Sequence, residues 1–342
     1  MVNLIKINPG ATTKPAYDKF ILSDYSATSY THTPFKSVYF VAAGVSESET
    51  AFRKDATAAR AHALLGVIND DQAHIDKAIQ IMNDWALTME GWTADNSAQP
   101  QLETAWGLPI WIAAADIIQY YGVGQPGGQR RSISKFNIAN FKKFAGMLYS
   151  EARKSKDRLS NWGASANLAM ISYGAYIDDP LIVQEAIDKT KYLISYMSTR
   201  TGLNPEVCRD TVHPQYTNVA LLQIAEIAHN LGRDEIYDSK IGISNTLFIP
   251  AFLEYYAKLF LGYSNDPCNG VWTQPNAPAA GYSYYGEWNR YDLYAIGYNH
   301  YIKRKNSIDL PVFQLMLKNF TPTKTYTDNH FILWGLLTHS ID

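Results

Sequence analysis

Charge is scarce in this chain. Asp, Glu, Lys and Arg make up only 18% of 342 residues and nearly cancel, leaving a formal net charge of −2. Such a chain has no global basic field with which to gather nucleic acid, so a polyanionic partner would need a locally positive groove. Cysteine is rarer still, with Cys208 and Cys268 alone. The two could pair, but they do not make a disulfide framework, and no zinc-ligand spacing surrounds them. The eight histidines (32, 62, 74, 213, 229, 300, 330 and 339) contain no His-x-x-x-His pair. No metal or other cofactor is expected. No apolar run is long enough to span a bilayer, so no membrane partner is expected either. The start, Met1-Val2-Asn3-Leu4-Ile5-Lys6, lacks the shape of a signal peptide and fits equally a mature chain given a start Met.

Aromatic residues are plentiful, with 24 Tyr and 8 Trp, and the length is ample for a large core. Helical periodicity dominates. Candidate helices run about Glu47–Leu65, Gln72–Leu87, Thr104–Tyr121, Ser134–Arg153, Trp162–Ile177, Pro180–Ser198, Tyr216–Leu231, Asn245–Leu261, Leu293–Lys303, Leu310–Asn319 and Phe331–His339. Residues 1–45, and Ser37-Val38-Tyr39-Phe40-Val41 in particular, read as an extended N-terminal segment. A turn signature recurs: Asn69-Asp70-Asp71, Asp178-Asp179-Pro180 and Gly232-Arg233-Asp234 each precede an Ile-containing helical pattern. Their spacing implies a period of about 54 residues, one helix–turn–helix unit, and places a further turn near residue 125, where Tyr121-Gly122-Val123-Gly124 lies. Six such units nearly use up the chain. Short turns make the paired helices antiparallel neighbours. The expected fold is therefore all-α, an (α/α) toroid or incomplete barrel of helical hairpins in one domain. The stretch from Gly262 to Trp288 is longer than an ordinary connection and reads as a lid or groove wall.

Three segments could carry chemistry. Cys208-Arg209-Asp210-Thr211-Val212-His213-Pro214-Gln215-Tyr216 puts a cation, an imidazole and a phenol at the mouth of a long helix. Those groups can hold an acidic group and move a proton beside it, although each alone could be a cap or a core partner. Ser160-Asn161-Trp162 opens another helix. Ser160 or Asn161 is then an ordinary N-cap, or Asn161 turns its amide to a ligand carboxylate while Trp162 offers a stacking face. In the third segment, Arg290 precedes Tyr294, Tyr298 and Tyr301, which share one helical face, and His300 lies among them. Such a stripe is more often core than site, yet buried tyrosine hydroxyls need partners.

Together the Ser-Asn-Trp start, the Arg-Asp-x-x-His element before Ala225-Glu226-Ile227-Ala228, and Tyr298-Asn299-His300-Tyr301 resemble the alginate-lyase superfamily of polysaccharide lyases, closest to family thirty-eight with features of family five. The resemblance covers most of residues 50–302. It implies an (α/α) toroid with a deep groove for an acidic polysaccharide, cleaved by β-elimination at a uronic acid without a metal. Carried onto this chain, Asn161 corresponds to the carboxylate-neutralising Asn, His213 to the base or its helper, Tyr298 to the catalytic tyrosine and Arg290 to the arginine near it. Trp162, Arg209, Tyr216, Tyr294 and His300 are then expected to contact substrate. Trp162 stands where family five has a His. Arg209 and Tyr216 reproduce that family's Arg–Tyr spacing, so Tyr216 competes with Tyr298 for the catalytic role. We expect a secreted or periplasmic protein whose signal peptide is not in this chain.

The chemistry accounts for these residue types. Hydrogen bonds or a cation on the uronate carboxylate stabilise the enolate-like transition state as C5 loses its proton. Tyrosine is a weak base at its ordinary pKa of about 10, so nearby positive charge must lower it. The substrate is expected to be mannuronate-rich alginate or glucuronan, which differ only at C2. Two other classes stay open. A glycoside hydrolase would need two facing carboxylates from among Glu103, Asp116, Glu206 and Asp210, and a glycan-binding protein would use the same aromatics without proton transfer.

Overall fold

The structure, a computed structural model, describes residues 3–123, 133–198, 204–208, 212–261, 263, 292–306, 308–319 and 330–342. Helix α2 (Glu47–Asn69) begins at Ser46, whose hydroxyl accepts the Glu49 N–H at 3.0 Å. It ends where Asp70 takes the left-handed conformation, φ 54°, and the Asp71 N–H bonds back to the Gly66 carbonyl at 2.9 Å. The Asp71 carboxylate then caps α3 (Gln72–Thr88) by accepting from the Ala73 N–H. Two consecutive aspartates thus end one helix and start the next.

The same device joins α6 (Asn161–Tyr176) to α7 (Pro180–Ser198). Asp178 has φ 59°, Asp179 N–H bonds to the Gly174 carbonyl, and the Asp179 carboxylate accepts from Leu181 N–H. A third copy closes α8 (His213–Asn230), with Gly232 at φ 78° and Arg233 N–H on the Ala228 carbonyl. The turn signature in the sequence is therefore one backbone motif used three times. In the first two copies, glycine also lets the hairpin close. A Cβ on Gly66 would lie 2.3 Å from Ile75 Cδ1, and one on Gly174 would lie 3.0 Å from the Val183 nitrogen. The expected turn beyond Gly122 lies outside the described residues.

Helices α2, α4 (Gln99–Val123), α6 and α8 stand side by side in chain order as an inner layer. Helices α3, α5 (Ile138–Ala152) and α7 cover them from outside. The division follows from side-chain pattern. Residues 163–172 of α6 are all buried, as an inner helix enclosed on every side requires, whereas α3 buries one stripe, Ile75, Ala78, Ile79, Met82 and Trp85 among it. Beyond α8, helix α9 (Phe248–Phe260) packs on α11 (Pro311–Asn319), and the short α10 (Ala295–Tyr298) rests on α8. The result is the expected all-α toroid. No described helix is long and apolar enough to cross a membrane.

Three expectations are corrected. The N-terminal segment is not extended throughout: it contains α1 (Thr13–Phe20), whose start is held by the Asp342 carboxylate through the Thr12 and Thr13 N–H groups at 2.7 and 2.8 Å. No cap from nearby sequence announced that helix. The extended reading holds for β1 (Ser37–Phe40), which pairs in parallel with β2 (Gly91–Ala94), Ser37 opposite Gly91. The stretch Leu293–Lys303 is not one regular helix but a 3-10 turn (Asp292–Tyr294), α10, and a π turn (Asn299–Arg304). The Lys305 N–H closes that π turn on the His300 carbonyl at 3.0 Å. Within Phe331–His339 only α12 (Gly335–Thr338) is helical, because Trp334 sits at φ 65° and breaks the run.

Candidate active site

The inner helices bring their N-terminal ends to one end of the toroid. Side-chain contacts there run between neighbours in ring order: Arg53 of α2 approaches Glu103 of α4 at 3.9 Å, and Trp106 of α4 donates its indole N–H to the Ser165 hydroxyl of α6 at 3.0 Å. α6 reaches α8 through Glu206, which lies on the short turn Pro205–Cys208. Unpaired N–H groups and the helix dipole make such ends partially positive. This near-neutral chain thereby acquires a place suited to anions without a surplus of basic residues.

Asn161 is fully buried at the first position of α6. Its backbone N–H donates to Glu206 Oε2 and its Nδ2 to Glu206 Oε1, both at 2.7 Å. Thr217 of α8 donates to the same carboxylate at 3.1 Å, and the Glu206 N–H is itself held by Asn204 Oδ1 at 2.9 Å. The cap of α6 is therefore Glu206 from another segment; Ser160 makes no side-chain capping bond. Asn161 Oδ1 is buried with no hydrogen-bond partner among the described residues. One Nδ2 hydrogen is committed to Glu206, which leaves the other for a ligand.

Trp162 is half-buried, and the Arg158 guanidinium lies 4.1 Å from its ring centroid. One face of the indole is thus covered by a cation rather than open to a sugar. Gly163 makes this approach possible, because a Cβ there would lie 1.8 Å from the Arg158 carbonyl oxygen.

His213 opens α8, and its ring meets that of Tyr216 edge-on, centroids 5.5 Å apart. Tyr216 keeps 7% of its surface exposed. Around its ring also stand Trp106 at 5.3 Å, His330 at 5.5 Å and Phe331 at 5.8 Å. His330 also lies edge-on to Trp106 at 4.2 Å, and its Nε2 contacts Arg53 Nη1. Arg53 binds Glu49 through Nη2, while Gln99 donates to Glu103 at 2.9 Å and the Val41 N–H to Glu49 at 3.0 Å. Burial, helped by the Glu103 charge, raises the Glu49 carboxyl above the usual carboxylate range against the opposing pull of Arg53.

The third segment behaves differently. Tyr294 is buried, and its hydroxyl accepts from Asn218 Nδ2 at 3.3 Å; burial raises its pKa well above the ordinary value, so it is a fixed core partner and not a groove contact. His300 is also a core side chain rather than a substrate contact. It is fully buried and stacked 3.5 Å from Tyr237, and burial first, then His229, lowers its pKa to about 4. Tyr298 is half-buried on α10, and among the described residues no hydrogen bond, ion pair or ring contact ties it to Asn161, His213 or Tyr216. Arg209, Arg290, Cys268 and the expected lid all lie outside the described residues, Tyr263 of that lid excepted. The structure thus places Asn161 at the start of α6 and His213 and Tyr216 at the start of α8, and separates Tyr294 and His300 from solvent. Sequence reasoning missed Arg53, Trp106, Glu206 as a cap, and His330. Glu206 was visible only as a carboxylate, and nothing local marks the other three.

Among the carboxylates considered for hydrolysis, Glu103 is engaged by Gln99 and Arg53 and Glu206 by Asn161. Asp116 is raised to about 6 by burial and by Asp178, and Asp210 is outside the described residues. No group of three His, Cys, Asp or Glu side chains able to hold a metal occurs among the described residues.

Comparison with known proteins agrees with this architecture. The crystal structure of an alginate lyase from Bacteroides ovatus superposes with a TM-score of 0.65, covering 99% of this chain and 97% of that one at 12% identity. At such identity the likeness carries the fold alone: an all-α toroid. The alginate lyase family model matches residues 23–242, and the chain belongs to that family. It is a polysaccharide lyase, which sets aside the hydrolase and binding-only alternatives. Comparison with curated proteins found no match.

Proposed function

We propose that this lyase acts on a 1,4-linked polyuronate, mannuronate-rich alginate or glucuronan, and that Tyr216 rather than Tyr298 moves the proton. The observation that carries this reading is the setting of Tyr216. Its ring is held between His213 and His330 beside Trp106, at the end where four inner helices turn their N-termini. In the reaction the C5–H bond breaks and its proton passes to the base. The electron pair forms the C4–C5 double bond, the C4–O4 bond breaks, and O4 takes up a proton. Tyr216 performs both transfers when H5 and O4 share a face of the sugar. The partially positive helix ends favour negative charge developing at this end of the ring, and His213 stands edge-on beside the Tyr216 ring. Asn161, through its second Nδ2 hydrogen, Arg209 and Arg290 are assigned to the uronate carboxylate, and Trp162 with Arg158 to a neighbouring sugar.

The test is ultraviolet absorbance of the conjugated product on polymannuronate, polyguluronate and glucuronan. Activity confined to polyguluronate would require a base on the opposite face and overturn the single-tyrosine scheme. Because these polymers do not cross membranes, we place the enzyme outside the cytoplasm; full activity retained inside spheroplasts of the producing cell would overturn that.

A further inference from the structure

The described structure contains one buried charged assembly against the site that the proposed reaction does not use. Arg53 of α2 is 9% exposed, with Glu49 and Glu103 buried beside it, and its other nitrogen reaches His330. His330 lies 277 positions away in the chain and beyond the span matched by the family model, which ends at residue 242. Yet its ring lies against Trp106 and Tyr216, two walls of the site.

The contact has a definite polarity. A guanidinium has donors only, so His330 Nε2 accepts from Arg53 Nη1. A neutral imidazole that accepts at Nε2 carries its proton on Nδ1. Its basic lone pair is then committed to Arg53 and is not available to a substrate proton. Among the described residues, the carboxylates recorded against this pair are Glu49 on α2 and Glu103 on α4, with His213 and Tyr216 on α8 across the ring. The two carboxylates hold Arg53 in place, the arginine holds His330, and His330 packs on Tyr216.

We propose that Arg53 is a positioning residue for the lyase reaction: it fixes His330 as the Nδ1–H tautomer and seats that ring against Tyr216, so that His330 shapes the proton-transfer site without taking the proton. The kinetic part rests on the assignment of Tyr216; the tautomer does not.

Two measurements test it. Nitrogen-15 spectra of histidine-labelled protein, with His330 assigned by comparison with His330→Gln, should show the Nδ1–H tautomer at neutral pH. Arg53→Gln should lose that fixed signature while the circular dichroism spectrum stays unchanged. An Nε2–H or doubly protonated His330 in the unmodified enzyme overturns the proposal whatever the kinetics show. In steady-state assays Arg53→Gln should lower kcat about a hundredfold with KM changed less than about threefold. His330→Gln should lower kcat similarly while keeping the acid limb of the pH profile, and the double variant should be no worse than either single one. Additive losses, or an acid limb that vanishes in His330→Gln, would make His330 an independent base and overturn the proposal. Should Arg53→Gln not fold, Arg53→Lys serves, because it keeps the charge and loses the planar fork; near-normal turnover with the tautomer retained is expected if one donor suffices, and a lost tautomer with full turnover counts against. If Tyr216→Phe keeps normal turnover, the Tyr216 assignment fails, and the spectra still decide the role of Arg53.

Discussion

Asn161 and Glu206 meet twice: the backbone N–H and the carboxamide of one residue donate to the two oxygens of the other, each at 2.7 Å. The residue that opens the helix at the candidate site is thus oriented by a carboxylate 45 positions later in the chain. Removing Glu206 leaves the Asn161 donors and the Thr217 hydroxyl buried without it.

Glu206→Ala should therefore destabilise the fold by roughly 3 kcal/mol, since hydrogen bonds to charged groups contribute about 1.5–3 kcal/mol each and strand their partners when cut. Chemical denaturation monitored by circular dichroism measures this. Activity should fall further than stability explains, because Asn161 loses its orientation. A variant as stable as the parent would show that the carboxylate is dispensable.

Tyr216→Phe should lower kcat by about two orders of magnitude or more with KM nearly unchanged, as expected for loss of a proton-transfer group. Tyr298→Phe should keep turnover within about threefold of the parent. The reverse pattern in the absorbance assay would move the reaction to the α10 side of the ring.

Gly163→Ala should be among the most damaging single-methyl additions in the chain. The new Cβ would meet the Arg158 carbonyl oxygen at 1.8 Å, and backbone has little room to yield. A cost of about 3 kcal/mol is expected. At Gly66 the obstacle is the end of the Ile75 side chain, so Gly66→Ala should cost clearly less. Thermal melts of the two variants side by side give the ranking.

Stability should fall in acid through buried histidines. Burial lowers His300 to about 4, with His229 adding to the effect, and burial with His74 lowers His62 to about 3. Both lie below the unfolded value of about 6.5. Between those limits the unfolded chain binds more protons, so their contribution is complete above pH ~6.5 and drains away as pH falls, by at most about 1.4 kcal/mol per pH unit for each residue. The buried carboxyls of Asp116 and Asp292, raised by desolvation, pull the opposite way. The histidine part is therefore read as a difference: His300→Phe should lose less stability than the parent between pH 7 and 4.5. Parallel losses would contradict it.

The sequence made the hairpins legible because their signals are local. Asp70-Asp71 and Asp178-Asp179 cap and stop within two residues, and the stripe from Ile75 to Trp85 repeats every three or four. Boundaries of α3 and α7 and the start of α2 followed closely, while α2 runs on from the expected Leu65 to Asn69. The α10 region did not, since a tyrosine stripe reads alike whether the backbone runs as 3-10, α or π helix; what decides there is packing, with a Cβ on Gly297 blocked by Leu253 at 2.6 Å. Of the site, His213 and Tyr216 were visible because three positions on a helix place them together. His330, Arg53 and Trp106 were not, because only the closed ring brings them into contact. His300 looked functional for its neighbours in the sequence, yet Tyr237 claims its ring.

Asp342 has one more consequence. Its carboxylate accepts the first N–H groups of α1, and Thr13 also hydrogen-bonds Ser340, so α1 and residues 340–342 are fastened to each other. Neither segment can fray alone. The strand of chain from His330 to Asp342 forms part of the wall beside Tyr216 at one end and holds α1 at the other. Breathing at the fastening is therefore transmitted to the reaction chamber, and α1 and residues 340–342 should exchange their amide hydrogens as a single cooperative unit.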